Sequence, residues 1–254
     1  MLGWILMAGC LPETPPTLIS GRVVSSRVGG SPIAGATVVV RDQFGGVHAE
    51  ATTDNVGLFE ADMPREQVIY VEVSSTQHVP TTFTAVAGTE SLRVEDGQLW
   101  LRSVSQREDL FNEFASCDAI LEIEQGDTAV TKVPDEEEIM NGAVIEGEVR
   151  LFVAAGQDPD TLPAVTTARL QAVTGNGTIY PACYLDDLGS SDRTLERTGD
   201  TGRFAIFGVP NGVMTVESRY DYGAPTEQLD FVDVYVAEGG VVPLYPMYVS
   251  MPGN

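Results

Sequence analysis

The chain has 254 residues, 43% of them hydrophobic, with 26 Gly and 15 Pro, which is enough for two domains of about 100 residues each with its own core. Its 37 acidic side chains stand against 14 basic ones, of which Lys132 is the sole lysine, giving a formal charge of -23. That balance excludes nucleic-acid binding and repels anionic headgroups, while the Val, Gly and Pro content favours short strands and turns over long helices.

Residues 1–10, MLGWILMAGC, are apolar up to a small-small-Cys ending, and no later stretch is apolar for long enough to span a bilayer. The Ala8, Gly9, Cys10 ending resembles the lipobox of bacterial lipoproteins, although Met7 stands where Leu is commonest and no basic residue precedes the apolar run. The resemblance implies a lipoprotein signal over 1–10, lipidation of Cys10, and a membrane partner reached through that anchor. Residues 11–17, LPETPPT, carry three Pro and suit an extended tether.

A first β-domain is expected over 18–104. Strands are read at Ile19 to Ser25, Ala36 to Arg41, His48 to Thr53, Leu58 to Ala61 and Val68 to Val73, with a last hairpin over Leu92 to Leu101 around Asp96-Gly97. Residues 105–141 form an acidic linker, with 11 acids against two bases. Ser105 and Glu108 have capping-box spacing there, and Leu110, Phe111 and Phe114 recur at helical intervals, so one short helix is expected as a lid or core-packing element. A second β-domain follows over 142–254, with strands at Ala143 to Phe152, Ala168 to Val173, Phe204 to Phe207, Val213 to Tyr220, Phe231 to Val236 and Val241 to Val249.

One phrase occurs twice. Thr53, Asp54, Gly57 and Phe59 recur as Thr198, Asp200, Gly202 and Phe204, keeping Thr-x-x-x-Gly-x-Phe while the Asp moves by one place. The fold class read from this is all-β, two tandem sandwiches joined by the acidic segment. Phe59 and Phe204 are expected as core plugs. The copies differ most over Asn176 to Arg197, an insertion in the second.

The segments SGRVV, PIAGATVVVRD, TTDNVGLF and VIYVEVSS, spread over residues 18 to 83, resemble a carboxypeptidase regulatory-like domain, a transthyretin-like β-sandwich. Residues 143 to 220 are similar to a more divergent second copy. The resemblance implies non-catalytic modules of secreted or surface proteins, with no catalytic residues to carry over.

The residues themselves offer little chemistry. His48 and His78, the only histidines, belong to no metal-spaced motif and read as surface or hydrogen-bonded side chains. Neither a nucleophile elbow nor a phosphate loop is written anywhere. Asp186, Asp187 and Asp192 in the insertion are candidates for a ligand or calcium loop, set against ordinary solvated acids. Tyr180, Tyr184, Tyr220 and Tyr222 are read as sandwich-edge packing, with an exposed sugar or peptide platform as the alternative. Cys117 and Cys183 form a candidate disulfide in an oxidising compartment, set against two separate buried thiols. The expectation is a non-enzymatic module of the bacterial cell envelope without a cofactor, facing the periplasm or cell surface. Its partner would be an envelope protein or a glycan, with carbohydrate or calcium binding by the 176–197 insertion as the alternative.

Overall fold

The computed structural model describes residues 17–95, 98–113, 136–152, 161–185, 197–220 and 228–250. The first half supplies β1 (Thr17–Val24), β2 (Thr37–Arg41), β3 (Val47–Thr52), β4 (Leu58–Met63), β5 (Gln67–Ser75), β6 (His78–Ala87), β7 (Leu92–Arg93) and β8 (Leu99–Trp100). Helices α1 (Val104–Glu113) and α2 (Glu136–Asn141) follow. The second half supplies β9 (Ala143–Phe152), β10 (Arg169–Thr174), β11 (Ile179–Pro181), β12 (Cys183–Tyr184), β13 (Arg203–Val209), β14 (Gly212–Tyr220), β15 (Gln228–Val236) and β16 (Val241–Ser250). The fold is all-β and sandwich-like, as expected.

Alternation places the cores. Ile19, Val23, Val38, Val40, Phe59, Ile69, Val71 and Leu99, drawn from facing sheets, make one buried cluster. Ile145, Val149, Leu170, Phe204, Ile206, Val216, Val234 and Val242 make a second. Phe59 and Phe204 both point inward, 5% and 0% exposed, so the expected core plugs are found.

Strand order in the two halves corresponds apart from β12, which adds beside β13 in the second. The first places β4 beside β1 and β1 beside β7 and β8, facing β3-β2-β5-β6; the second places β13 beside β9 and β9 beside β16, facing β11-β10-β14-β15. In both, the last strand runs parallel to the first. The halves are also joined, because β16 lies parallel to β6 through Val241 and Thr81, giving one eight-stranded sheet in the order β12-β13-β9-β16-β6-β5-β2-β3.

Four local readings need correction. Residues 92–101 do not form a hairpin: β7 and β8 each pair with β1 in the parallel sense, so they run the same way. Strand β6 went unread because Pro80 and three Thr interrupt its apolar alternation. The helix cap is Ser103 and not Ser105, since Ser103 Oγ accepts from Gln106 N while Gln106 Oε1 accepts from Ser103 N. Helix α2 occupies part of the acidic run read as linker.

Helix α1 serves as a lid, packing Leu110 and Phe111 with Val144, Cys183, Leu185, Ala205 and Phe207 on the outer face of the second half. Its hydrophobic side drives that docking, and Arg107 anchors it by donating to the carbonyls of Gly239, at 2.7 Å, and Gly142.

Candidate functional site

The repeated phrase builds a threonine latch. Thr53 is 5% exposed, and its Oγ1 accepts from Ala36 N at 2.8 Å while donating to the Ile33 carbonyl at 2.8 Å. Thr198 is 2% exposed and does the same between Ala168 N, at 3.0 Å, and the Val165 carbonyl, at 2.5 Å. One hydroxyl thereby satisfies a donor and an acceptor of the chain entering the second strand, which valine cannot do. Thr53→Val and Thr198→Val are each expected to destabilise the protein by about 2 kcal/mol, measured by urea unfolding. A cost near zero at both would mean that the hydroxyls are idle.

The turn after each latch closes on a glycine. Gly57 donates to the Asp54 carbonyl and its own carbonyl accepts from Val23 N; Gly202 donates to the Gly199 carbonyl and accepts from Val149 N. In the first half Asp54 Oδ1 also accepts from Val56 N and Leu58 N, both at 2.9 Å. In the second, the residue aligned with Asp54 is Gly199, and Thr201 Oγ1 takes over by accepting from Arg203 N at 3.2 Å.

An open groove of about 510 Å³ lies beside the first latch, lined by Ser20, Thr52, Asp54, Leu58, Glu60 and Arg93 among others. Register puts Ser20 between Glu60 on β4 and Arg93 on β7. Hydroxyls, carboxylates and a guanidinium there can hydrogen-bond a polar ligand.

A second polar cluster is buried at the meeting of the halves. Glu146 on β9 is 0% exposed; its Oε1 accepts from Arg102 Nε at 2.7 Å and its Oε2 from the Tyr245 hydroxyl at 3.1 Å. Arg102 also lies over the Trp100 ring at 5.0 Å, and Arg203 hydrogen-bonds Tyr245. Burial pushes the Glu146 carboxyl above its ordinary value, opposed in part by Arg102, Tyr245 and Arg203. Burial raises the Tyr245 phenol as well, helped by the Glu146 charge. This pattern of one acid inside a positively charged, hydrogen-bonded shell holds elements together.

Sequence reading missed this cluster. Its only signal is that Glu146 shares a strand face with Val144 in AVIEGEVRLF, and the strand alone does not reveal that this outer face is covered.

Among the described residues the tyrosines form no exposed platform. Tyr180, Tyr184 and Tyr220 are 5%, 3% and 2% exposed and belong to the second core; Tyr184 Oη accepts from Leu170 N at 2.8 Å. Tyr222 lies outside the described residues, as do Cys10, Cys117, Asp186, Asp187 and Asp192. Cys183 is buried on β12, His48 is exposed on β3, and His78 is half-buried at the start of β6, where burial lowers its pKa. Among the described residues no group of three or more His, Cys, Asp or Glu side chains assembles as a metal site. No described helix is long and apolar enough to cross a membrane.

Residues 18–98 match the carboxypeptidase regulatory-like domain. The match spans β1 to the edge of β8, and so takes in the first latch and the groove beside it. No curated protein matches the chain. Among solved structures, the Bacillus anthracis TIE protein is 11% identical at a TM-score of 0.29, with 92% of this chain covering 33% of that one. The chain thus spans about a third of that protein's length. The minor pilin GBS52 of Streptococcus agalactiae is 10% identical at a TM-score of 0.30, covering 94% of this chain and 97% of the pilin. A Bacteroides uniformis protein, provisionally assigned as carbohydrate binding, is 12% identical at a TM-score of 0.27, covering 88% of this chain and 99% of its own.

Proposed function

We propose that this protein is a non-catalytic lipoprotein of the bacterial cell envelope, in which Cys10 carries the acyl anchor and the strands form a binding or spacer module held off the membrane. The observation that carries the reading is the order of the amino terminus: Ala8-Gly9-Cys10, then the Pro-rich residues 11–17, then β1 of the matched domain from Thr17. An anchored residue needs a tether of this kind, and the matched domain is a module without catalytic residues of its own. Cys10→Ala is expected to move the protein from the detergent-extracted membrane fraction into the soluble one in its native host. Unchanged partitioning would remove the anchor from the reading.

We infer also that residues 142–254 are a second domain of the same kind, supported by the shared strand order and by the latch bonds that recur at Thr53 and Thr198. The Cys117–Cys183 disulfide belongs to the same reading. Leu110 of α1 packs in the same cluster as Cys183, and Cys117 follows α1 by four residues, a reach of about 14 Å at full extension. Intact mass before and after reduction, on protein from an oxidising compartment, reads the pairing directly.

The groove supports a second reading, a polar carbohydrate held by Ser20, Thr52, Glu60 and Arg93, alongside calcium or glycan binding by the 176–197 insertion. Calorimetric titration of the full chain with Ca²⁺ and with a glycan panel is expected to give heat for one of them; silence across both leaves the spacer role.

A further inference from the structure

We propose that the two sandwiches are a single thermodynamic and mechanical unit, so that loosening the core of the first half loosens the second by the same amount. The inference concerns the junction alone and stands whether or not the chain is anchored to a membrane.

Three independent features meet at that junction. Strand β6 closes the first core with Phe83, Ala85 and Ala87, and its neighbour β16 closes the second with Val242, Met247 and Val249. The two cores therefore share one sheet as a common wall. Fraying β6 removes the pairing partner of β16 at Val241.

A clasp lies over the outer face of the first half. Tyr235 of β15 sits under the Arg41 guanidinium, 4.4 Å from carbon to ring centroid, and meets the Tyr70 ring at 6.0 Å. Next to it, Thr84 Oγ1 donates to the Asp233 carbonyl at 3.3 Å. Tyr70 lies on the sheet face opposite the core residues Ile69 and Val71, where a sandwich standing alone would expose it, yet it is 1% exposed. The second half provides that cover. Gly45 fits the clasp as well: a Cβ there would stand 2.8 Å from the Tyr235 ring.

The third feature is the buried cluster in which Arg102, next to β8, pairs with Glu146 of β9. Separating the halves would break a charged pair whose acid has no solvent contact, open a shared sheet edge and strip the cover from Tyr70. Opening any one of these without the others leaves unsatisfied groups behind, so they open together. The alternative is two independent beads on a linker, which would need an interface that is small, wet and separable.

Two local probes in the full-length chain test this. Trp100 reports the first half once Trp4→Phe leaves it as the only tryptophan. Pulse labelling of the buried Cys183 thiol reports the second, in a background carrying Cys10→Ser and Cys117→Ser. The perturbation is Val38→Ala in the first core, with Ile69→Val as the milder substitute should that chain fail to fold; both residues are 0% exposed. In urea, both probes are expected to share one midpoint, and Val38→Ala is expected to lower both equally, by roughly 1 M. A shift of the Trp100 midpoint with the Cys183 midpoint unmoved, or two midpoints in the parent chain, overturns the proposal. Adding Tyr235→Ser to Val38→Ala should separate the two transitions. Coupling that survives this change intact would overturn the role given to the clasp.

Discussion

Gly57→Ala and Gly202→Ala are each expected to destabilise the protein by about 3 kcal/mol or more, the two costs agreeing within about 1 kcal/mol. Both glycines have positive φ, 76° and 68°, where a side chain is disfavoured by about 1 to 2 kcal/mol. Space is lacking too. A Cβ at Gly57 would stand 2.7 Å from the Val23 carbonyl oxygen and 3.1 Å from Pro32 Cβ; at Gly202 it would stand 2.7 Å from the Val149 oxygen and 3.1 Å from Ala164 Cβ. The obstructing atom is backbone on a neighbouring strand, so relief requires moving a strand that carries core residues. Urea midpoints of the two single variants check this. A cost below about 1 kcal/mol at either site would show that the turn relaxes freely and that the repeated glycine is not a structural requirement.

Glu146→Ala is expected to cost about 3 kcal/mol at neutral pH, because it strands the Arg102 guanidinium in a site where that side chain is 19% exposed. Replacing both partners, Arg102→Met with Glu146→Met, is expected to cost far less than the sum of the singles, since no unpaired charge remains buried. The double-mutant cycle by chemical denaturation measures the difference. A strictly additive cycle would mean that the pair contributes nothing as a pair.

The pH dependence has a definite sign. With the Glu146 carboxyl held above its unfolded value, its stabilising contribution is complete below the unfolded value and is lost as pH rises through the folded one. Acidification from neutrality through that window should therefore stabilise the parent relative to Glu146→Ala. An opposite trend would mean that Arg102 outweighs burial.

The turn phrases were the most legible part of the sequence because their chemistry is local. Thr, Gly and Phe at fixed spacing need only their neighbouring strands to act, and both copies fold as latch, turn and plug. Strands with a β-branched run, such as Val38-Val39-Val40 in β2 and Val144-Ile145 in β9, are legible for the same reason. Legibility failed where a choice depends on what lies across the sheet. Leu92–Arg93 and Leu99–Trp100 look like two arms of a hairpin, and only the open edge of β1, to which they attach at successive positions, directs both to parallel pairing. Ser103 outcompetes Ser105 as cap because the helix begins at Val104, with three residues separating it from β8, a boundary that the local spacing does not mark. The candidate groove was missed because Ser20, Glu60 and Arg93 come from three strands and are ordinary polar residues in each.

By itself, the sequence determined the strand class, the two repeated turns and the inward phenylalanines, all of which rest on dihedral preference and on a period of two residues. Tertiary structure alone decided that the halves share a sheet, and that Tyr70 and Glu146 are covered. The physical reason is that a strand's pattern tells its two faces apart but not what comes to lie on either of them. A buried carboxylate or an outward tyrosine acquires its environment from residues that stand up to about a hundred and sixty positions away along the chain.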